Sequence, residues 1–377
     1  MTFGARLWYA ASDVPGVLKG DRELKGLILS GGKATRLRPF SYTGAKQLMP
    51  IANKPILFYA LESLAEAGIR SVGIVVGDTR DQVMAAVGDG GRFGLEVTYI
   101  DQPAPLGIAH AVKISEAFLE GGPFVLYLGD NFLRGGIVPC VEEFRCSESQ
   151  CLVMLCQVPN PQDFGVARLE DGRMVGVVEK PKEPPSDLAV IGIYMFDGQV
   201  FEAVRSIKPS ARGELEITDT IQYLIDRGYD VRHRLVDEQW IDTGKMDDIL
   251  EANRLVLETL QPRNEGFVDE DSRLSGTVIL EKGCRVTNSV VRGPCIIGEA
   301  TEIIDSFVGS FTSLYHHSVL RNSEVANCII LENTVIENMG QRIEDSLIGR
   351  NVTVNGSNRL PRSYRLVLGD FSRVYVP

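Results

Sequence analysis

The chain has little histidine, four residues in 377, and only two tryptophans. Its seven cysteines are an odd number, and no two of them form a C-x-x-C pair. Cys140, Cys146, Cys151 and Cys156 fall close together, yet with so few histidines beside them they read as small buried hydrophobes rather than as a zinc site. A disulfide framework is excluded on the same count, because such frameworks belong to short secreted chains with even numbers of cysteine. Basic residues are also outnumbered, 39 against 50 acidic, for a formal net charge of −11. Binding to a nucleic acid polymer needs an excess of Lys and Arg to displace counterions, so any nucleotide handled here is a small molecule. Long apolar runs are missing as well. Val72 to Val76 and Phe124 to Leu128 are among the longest, far short of the roughly 20 residues of a membrane span. Met1 to Glu23 carries Arg6 and a short apolar patch, Leu7 to Ala11, but no sustained core like that of a secretory signal. The expectation is a cytoplasmic protein with reduced thiols and no membrane partner.

What is present is a globular composition, 44% apolar and 24% charged, over a length that suggests about two or three domains. From Lys25 onward, short branched runs at Leu27 to Leu29, Val72 to Val76, Leu95 to Ile100 and Phe124 to Leu128 read as strands. Helical spacing over Pro55 to Ala67 and Ala109 to Leu119 lies between them. The alternation predicts an α/β fold, helices around a doubly wound sheet that places ligands at the carboxyl ends of its strands. Further strands are expected at Leu152 to Val158, Met174 to Val178 and Val190 to Phe196, making the region mixed. A helix from Met246 to Leu260 then links to a different texture, rich in Gly, Asn and Ser, in which aliphatics recur six apart. Val291, Ile297 and Ile303 keep that spacing, as do the pairs Val308 and Leu314, Val319 and Val325, Ile330 and Ile336, and Ile348 and Val354. One inward aliphatic per side is what a parallel β-helix requires, so a short left-handed one is expected from about Val278 to Val354, with an irregular β-sandwich as the alternative. The expected division is an extension over 1–24, a catalytic domain over 25–245, a linker helix over 246–265 and the β-helix over 266–377.

Ser30-Gly31-Gly32-Lys33-Ala34-Thr35-Arg36-Leu37-Arg38-Pro39 follows the first strand, a glycine-rich turn running into two arginines. Free backbone N–H groups in such a turn form an anion-binding nest, and glycine lets a phosphate approach. The turn matches neither G-x-G-x-x-G nor G-x-x-x-x-G-K-[ST], which weighs against dinucleotide binding and the P-loop mode. Lys46, in Gly44-Ala45-Lys46-Gln47-Leu48-Met49-Pro50, is a second cation within reach, although a solvated charged face explains either cation singly. Asp130, just past Phe124 to Leu128, stands at the ligand edge of the sheet, and Asp242 in Gln239-Trp240-Ile241-Asp242-Thr243-Gly244 is a second strand-end carboxylate. One or two carboxylates plus substrate phosphates is the usual holding of Mg²⁺. A turn or helix cap is the structural reading of each Asp taken alone.

In order, GGKATRLRP, AKQLMP, GDGGRFGLEVTYIDQPAPLGIAHA, YLGDN, DFGVA, EKP, ARGELEITD and WIDTG resemble the sugar-1-phosphate nucleotidylyltransferases, and among them the long thymidylyltransferases with a β-helical tail. The resemblance is strong over Lys25 to Leu260. It implies that Gly31, Gly32, Arg36 and Gln47 hold the triphosphate, that Gln102 and Gly107 read the pyrimidine, and that Asp130 and Asp242 bind Mg²⁺. Asn131, Gly165, Glu179, Lys180, Val190 and Arg212 would line the sugar-phosphate site, with Arg36, Lys46 and Lys180 as catalytic cations. The implied partners are dTTP and glucose-1-phosphate, and the implied assembly a homo-oligomer. Three positions depart from the pattern: Ala34 for a frequent glycine, Phe164 for the tyrosine of short forms, and Ile191 for a threonine. Residues 1–24 precede the usual start, as a mis-assigned start or a disordered arm. The attacking phosphate oxygen is already an anion, so positioning and charge neutralisation must supply the rate. Three rivals stand beside this reading: the same chemistry with UTP or another sugar, a non-catalytic sugar-nucleotide-binding subunit, and an acyl-transferring β-helix with His316 or His317 as base.

Overall fold

The computed structural model describes residues 23–31, 37–40, 44–236, 240–356, 366 and 368–375. Of the extension expected over 1–24, residues 1–22 lie outside them, as do Gly32, Ala34 and Arg36. Strand Lys25–Ser30 runs at the centre of a nine-stranded sheet, with Phe124–Leu128 on one side and Ser71–Val76 on the other, both parallel to it. Glu96–Asp101 extends the parallel set beyond Ser71–Val76. Successive residues of a strand face opposite sides, and here both sides are apolar, as a sheet covered on two faces requires. Ile28, Ile74 and Tyr127 enter one buried cluster, while Leu27, Val75 and Leu126 enter the other. Leu188–Phe196 joins Phe124–Leu128 antiparallel, and Cys151–Gln157 joins Leu188–Phe196 antiparallel, so the sheet is mixed as the sequence predicts. The expected helix over Ala109 to Leu119 is two pieces, Ile108–Ile114 and Glu116–Leu119, broken at Ser115, whose hydroxyl donates back to the carbonyl of Ala111. Such back-bonding bends a helix. No helix among the described residues is long and apolar enough to cross a membrane.

All four parallel strands end at one edge, which carries Gly31, Gln102 and Asp130. A two-strand antiparallel ladder, Asn131–Leu133 with Trp240–Asp242, lies at that edge.

Helix Met246–Leu257 ends three residues earlier than expected and is wedged between the two halves of the chain. Ile249, Leu250, Leu255 and Val256 pack with Met49, Ile51 and Phe132 of the first half and Ile279, Ile296 and Ile329 of the second. Buried Asn253 fastens the wedge: its Oδ1 accepts from the backbone N–H of Ala52 at 2.8 Å and the Ser313 hydroxyl at 2.7 Å, and its Nδ2 donates to the Phe311 carbonyl at 2.9 Å.

The remainder is a stack of parallel β-coils. Val278 pairs with Cys295 and Cys295 with Thr312, each a step of 17 residues rather than the 18 of three full sixes. The inward spacing is therefore six, six, five: Val291, Ile297, Ile303, Val308, Leu314, Leu320 and Val325 are all buried. Val319, expected to point inward with Val325, stands half-buried beside Leu320, which is 0% exposed. The corners explain the texture of the sequence. Asn288, Asp305, Asn322 and Asn338 turn them at φ of 45°, 50°, 44° and 58°, the left-handed region that Asn and Asp tolerate. Beside them Ser272, Ser289, Ser306 and Ser323 form a ladder in which each serine oxygen accepts a backbone N–H of the next coil. All seven cysteines are free thiols. Burial pushes Cys295 and Cys328 up to about 12, which makes them inert packing groups.

Candidate active site

Lys46 begins a short 3₁₀ turn, Lys46–Leu48, and its ammonium reaches the sheet edge. Its Nζ donates to Asp130 Oδ2 at 2.6 Å and lies 3.6 Å from Asp242 Oδ1. The two carboxylates come together because Asp242 pairs with Asn131, the residue after Asp130. Thr243 ties the junction: both its N–H, at 3.2 Å, and its hydroxyl, at 2.7 Å, donate to the Asp130 carbonyl. Burial alone would lower the pKa of the Lys46 ammonium, but Asp130 and Asp242 outweigh it and hold the group above its ordinary value. Burial would likewise raise the Asp130 carboxyl, yet Lys46 beside it keeps it below the usual carboxylate range. Asp242 is left with the other half of the bargain: burial first, and then the charge of Asp130, push it up to about 6 despite Lys46.

The donor set suits a hard divalent cation. Asp130 and Asp242 already converge on one positive charge, the Lys46 ammonium. Among the described residues no cluster of three or more His, Cys, Asp or Glu gathers at metal-binding distance. Two carboxylates would fit an ion such as Mg²⁺ that keeps waters and shares substrate phosphates.

Among the residues expected to hold the nucleotide, Gln47 Nε2 donates to the Gly31 carbonyl at 3.1 Å. A Cβ on Gly31 would stand 3.5 Å from Gln102 Oε1, so the three residues share one corner. Gln102 Nε2 meets the Gly107 carbonyl at 3.3 Å and His110 Nδ1 at 3.1 Å, which fixes its amide beside the turn. Gly107 sits at φ 104° directly against the Leu215 backbone, where any side chain would collide. Gly32 and Arg36, expected here, lie outside the described residues.

A continuous arc of contacts leads to the sugar-phosphate residues. Asn131 Nδ2 donates to Asp130 Oδ1 at 3.0 Å and its Oδ1 accepts from Trp240 Nε1 at 2.7 Å. Trp240 meets the Phe164 ring edge-on at 5.4 Å. Gly165 follows, paired with Glu179 across a hairpin and next to buried Val190; a Cβ there would press on Thr218. Lys180 adopts φ 41° and holds its ammonium 3.7 Å from Glu179. Burial raises the Glu179 carboxyl, and Lys180 and Arg212 only partly offset it.

Arg212, expected to line the sugar-phosphate site, is turned onto carboxylates. It forks onto buried Glu216 at 3.1 and 2.8 Å and reaches Glu179 at 3.2 Å, while the Thr218 hydroxyl donates to the other Glu179 oxygen at 3.2 Å. Thr218, Trp240 and Thr243 are residues that the motif strings contained without a role, because each acts through a partner distant in sequence, and Glu216 is another, clamped by Arg212 four residues before it. His316 and His317 are remote from this arc; His316 Nδ1 accepts from the Glu299 N–H at 3.1 Å on the coil.

Gly31, a lysine and two carboxylates at the carboxyl edge of a mixed α/β sheet define a phosphate-handling transferase. The chain belongs to the nucleotidyl transferase family, whose model matches residues 25–259. A glucose-1-phosphate thymidylyltransferase of Streptomyces griseus is 53% identical over 354 residues, 94% of this chain and 99% of that protein. One of Streptomyces antibioticus is 51% identical over 355 residues, again 94% and 99%. The crystal structure of a Bacillus anthracis protein described as a glucose-1-phosphate thymidylyltransferase, in complex with sucrose, matches with a TM-score of 0.60 at 36% identity. It covers 64% of this chain and 98% of its own, so it matches a shorter protein.

Proposed function

We propose that the chain transfers a thymidylyl group from dTTP to glucose-1-phosphate, giving dTDP-glucose and pyrophosphate. The observation that carries this reading is the convergence of Asp130 and Asp242 on Lys46 beside the Gly31 turn. A phosphate oxygen of the sugar forms a bond to the α-phosphorus, the bond from that phosphorus to the bridging oxygen breaks, and pyrophosphate leaves with the electron pair. No proton has to be removed from the nucleophile. Lys46 and Arg36 would draw charge from the triphosphate, Lys180 would hold the sugar phosphate, and Gln102 would orient the base. Asp130 and Asp242 would hold Mg²⁺, which supplies charge neutralisation on the phosphates.

The names of the Streptomyces relatives favour thymidine over uridine. Thymine and uracil differ by one methyl, worth only about 1–3 kcal/mol in an apolar pocket, so UTP is the competitor to measure. The same reading has the protein acting as a homo-oligomer in the cytoplasm, a setting that suits seven unpaired thiols. The test is pyrophosphate release with Mg²⁺ and glucose-1-phosphate, run in parallel with dTTP, UTP, GTP, ATP and CTP. Preference for dTTP is expected, together with loss of turnover in a folded Asp130→Ala variant. Turnover undiminished in that variant would overturn the metal assignment.

A further inference from the structure

The segment from Leu37 to Lys46 joins the glycine-rich turn to the lysine of the site. Its inner side is held by the first half of the chain, where the Ala45 N–H donates to Gln82 Oε1 at 2.8 Å. Arg38, Phe40 and Gly44 meet residues more than 300 positions later. The Arg38 guanidinium lies 5.4 Å from the centre of the Phe371 ring. Phe40 packs against the last coil, its ring 3.5 Å from where a Cβ on Gly349 would stand. Arg350 Nη1 lies 3.2 Å from the corresponding point on Gly44, and Arg350 is itself anchored to Glu332 of the coil at 2.5 Å.

These are three contacts along ten residues, and they are made by the end of the coil and by the tail. Phe371 is 61% exposed, so it fills no core space there. Its ring covers Arg38 while the rest of the tail presents Leu366, Leu368 and Val374 to solvent. Misplacement of a binding segment by a fraction of an ångström is felt in substrate binding even when the chemistry is elsewhere.

We propose that Arg350 and Phe371 are positioning residues for the nucleoside triphosphate: the last coil and the tail brace Arg38, Phe40 and Gly44 from outside and so fix where Lys46 meets Asp130. In assigning the segment to the triphosphate, this inference rests on the proposed function.

The test compares wild type with Phe371→Ala, Arg350→Ala, the double variant and Phe371→Trp, by steady-state kinetics in each substrate and by hydrogen–deuterium exchange. An exposed cation–aromatic contact corresponds to about a two- to fivefold effect. The triphosphate KM is expected to rise by that factor in each single alanine variant and by about tenfold in the double. The sugar-phosphate KM and kcat stay level, Phe371→Trp keeps the wild-type value, and amide exchange quickens over residues 37–40 and 44–48 but not in the coil. An unchanged triphosphate KM overturns the proposal. So does an equal rise in both KM values with faster exchange throughout the coil, which marks a merely structural role. If wild type prefers a triphosphate other than dTTP, the same comparison is made with that one. If it turns over none of them, the proposed function has failed, and exchange over 37–40 and 44–48 decides the brace alone: faster in the variants supports it, unchanged overturns it.

Discussion

Asp242 faces Asn131 across a two-strand antiparallel ladder, and that pairing sets its carboxylate 3.6 Å from a lysine nearly 200 residues earlier in the chain. Three ionisable groups then share one corner, with their affinities for protons pulled apart. Asp130 stays ionised, Lys46 stays protonated, and Asp242 titrates near 6.

Metal binding should follow that titration. Above about pH 6 Asp242 is a carboxylate, and as pH falls through that value it takes a proton and could no longer serve as a ligand. At pH 5 the ionised fraction is about one-tenth, so the apparent Mg²⁺ affinity should be about tenfold weaker than at pH 7. Titration of activity with Mg²⁺ between pH 5 and 8 reads this directly. In Asp242→Asn the affinity should be low and flat across that range; a surviving slope assigns the proton to another group.

Arg212, although partly exposed, clamps Glu216 and reaches Glu179. Removing it leaves Glu179 with the Thr218 hydroxyl and the more distant Lys180. Charge-assisted hydrogen bonds of this kind are worth about 1.5–3 kcal/mol, so Arg212→Ala should raise the sugar-phosphate KM by about tenfold or more while the triphosphate KM holds. Arg212→Lys should not restore it, because an ammonium cannot fork onto Glu216 and still reach Glu179. Equal changes in both KM values would show that the cluster serves the fold at large.

Asn253 should matter to stability more than to catalysis. Asn253→Ala strands the Ala52 N–H, the Ser313 hydroxyl and the Phe311 carbonyl in a buried seam. A loss of about 2–4 kcal/mol is expected in urea unfolding, with kcat within about twofold of wild type under native conditions. A loss below about 1 kcal/mol would mean that water reaches the seam.

The step of 17 predicts a contrast between adjacent residues. Leu320→Ala opens the coil interior and should cost about 2–5 kcal/mol, whereas Val319→Ala, half-buried on the side of the coil, should cost under about 1 kcal/mol. Comparable losses would restore the strict six-residue spacing.

Much of the first half was legible in the sequence because parallel strands buried on both faces are continuous apolar runs with little else they can become. The runs at Val72 to Val76 and Phe124 to Leu128 lie in strands ending at the same residues. Gly165–Glu170 and Val231–Leu235 were missed, since alternate exposed charges at Arg168, Glu170 and Arg232 interrupt their apolar signal. The β-helix was legible from its aliphatics, but its register was not. A coil of six, six and five keeps apparent sixes over short stretches and then slips by one, and only the pairing of coil on coil reveals where. At the site, Lys46, Asp130 and Asp242 carried their own signal. The orientation of Arg212 did not, because a guanidinium that binds phosphate and one that clamps two carboxylates look alike in a string of letters.

The coil stack is also a ruler. Its side is seated on the helix through Ile279, Ile296 and Ile329, and its last turn, through Gly349 and Arg350, touches the segment that leads to Lys46. One coil more or fewer would shift that last turn by one strand spacing, about 4.8 Å, and leave Phe40 and Gly44 facing nothing that fits them. Repeat proteins commonly gain and lose units because each unit answers only to its neighbours. Here the last coil also meets the catalytic half, through Phe40 at Gly349 and Arg350 at Gly44.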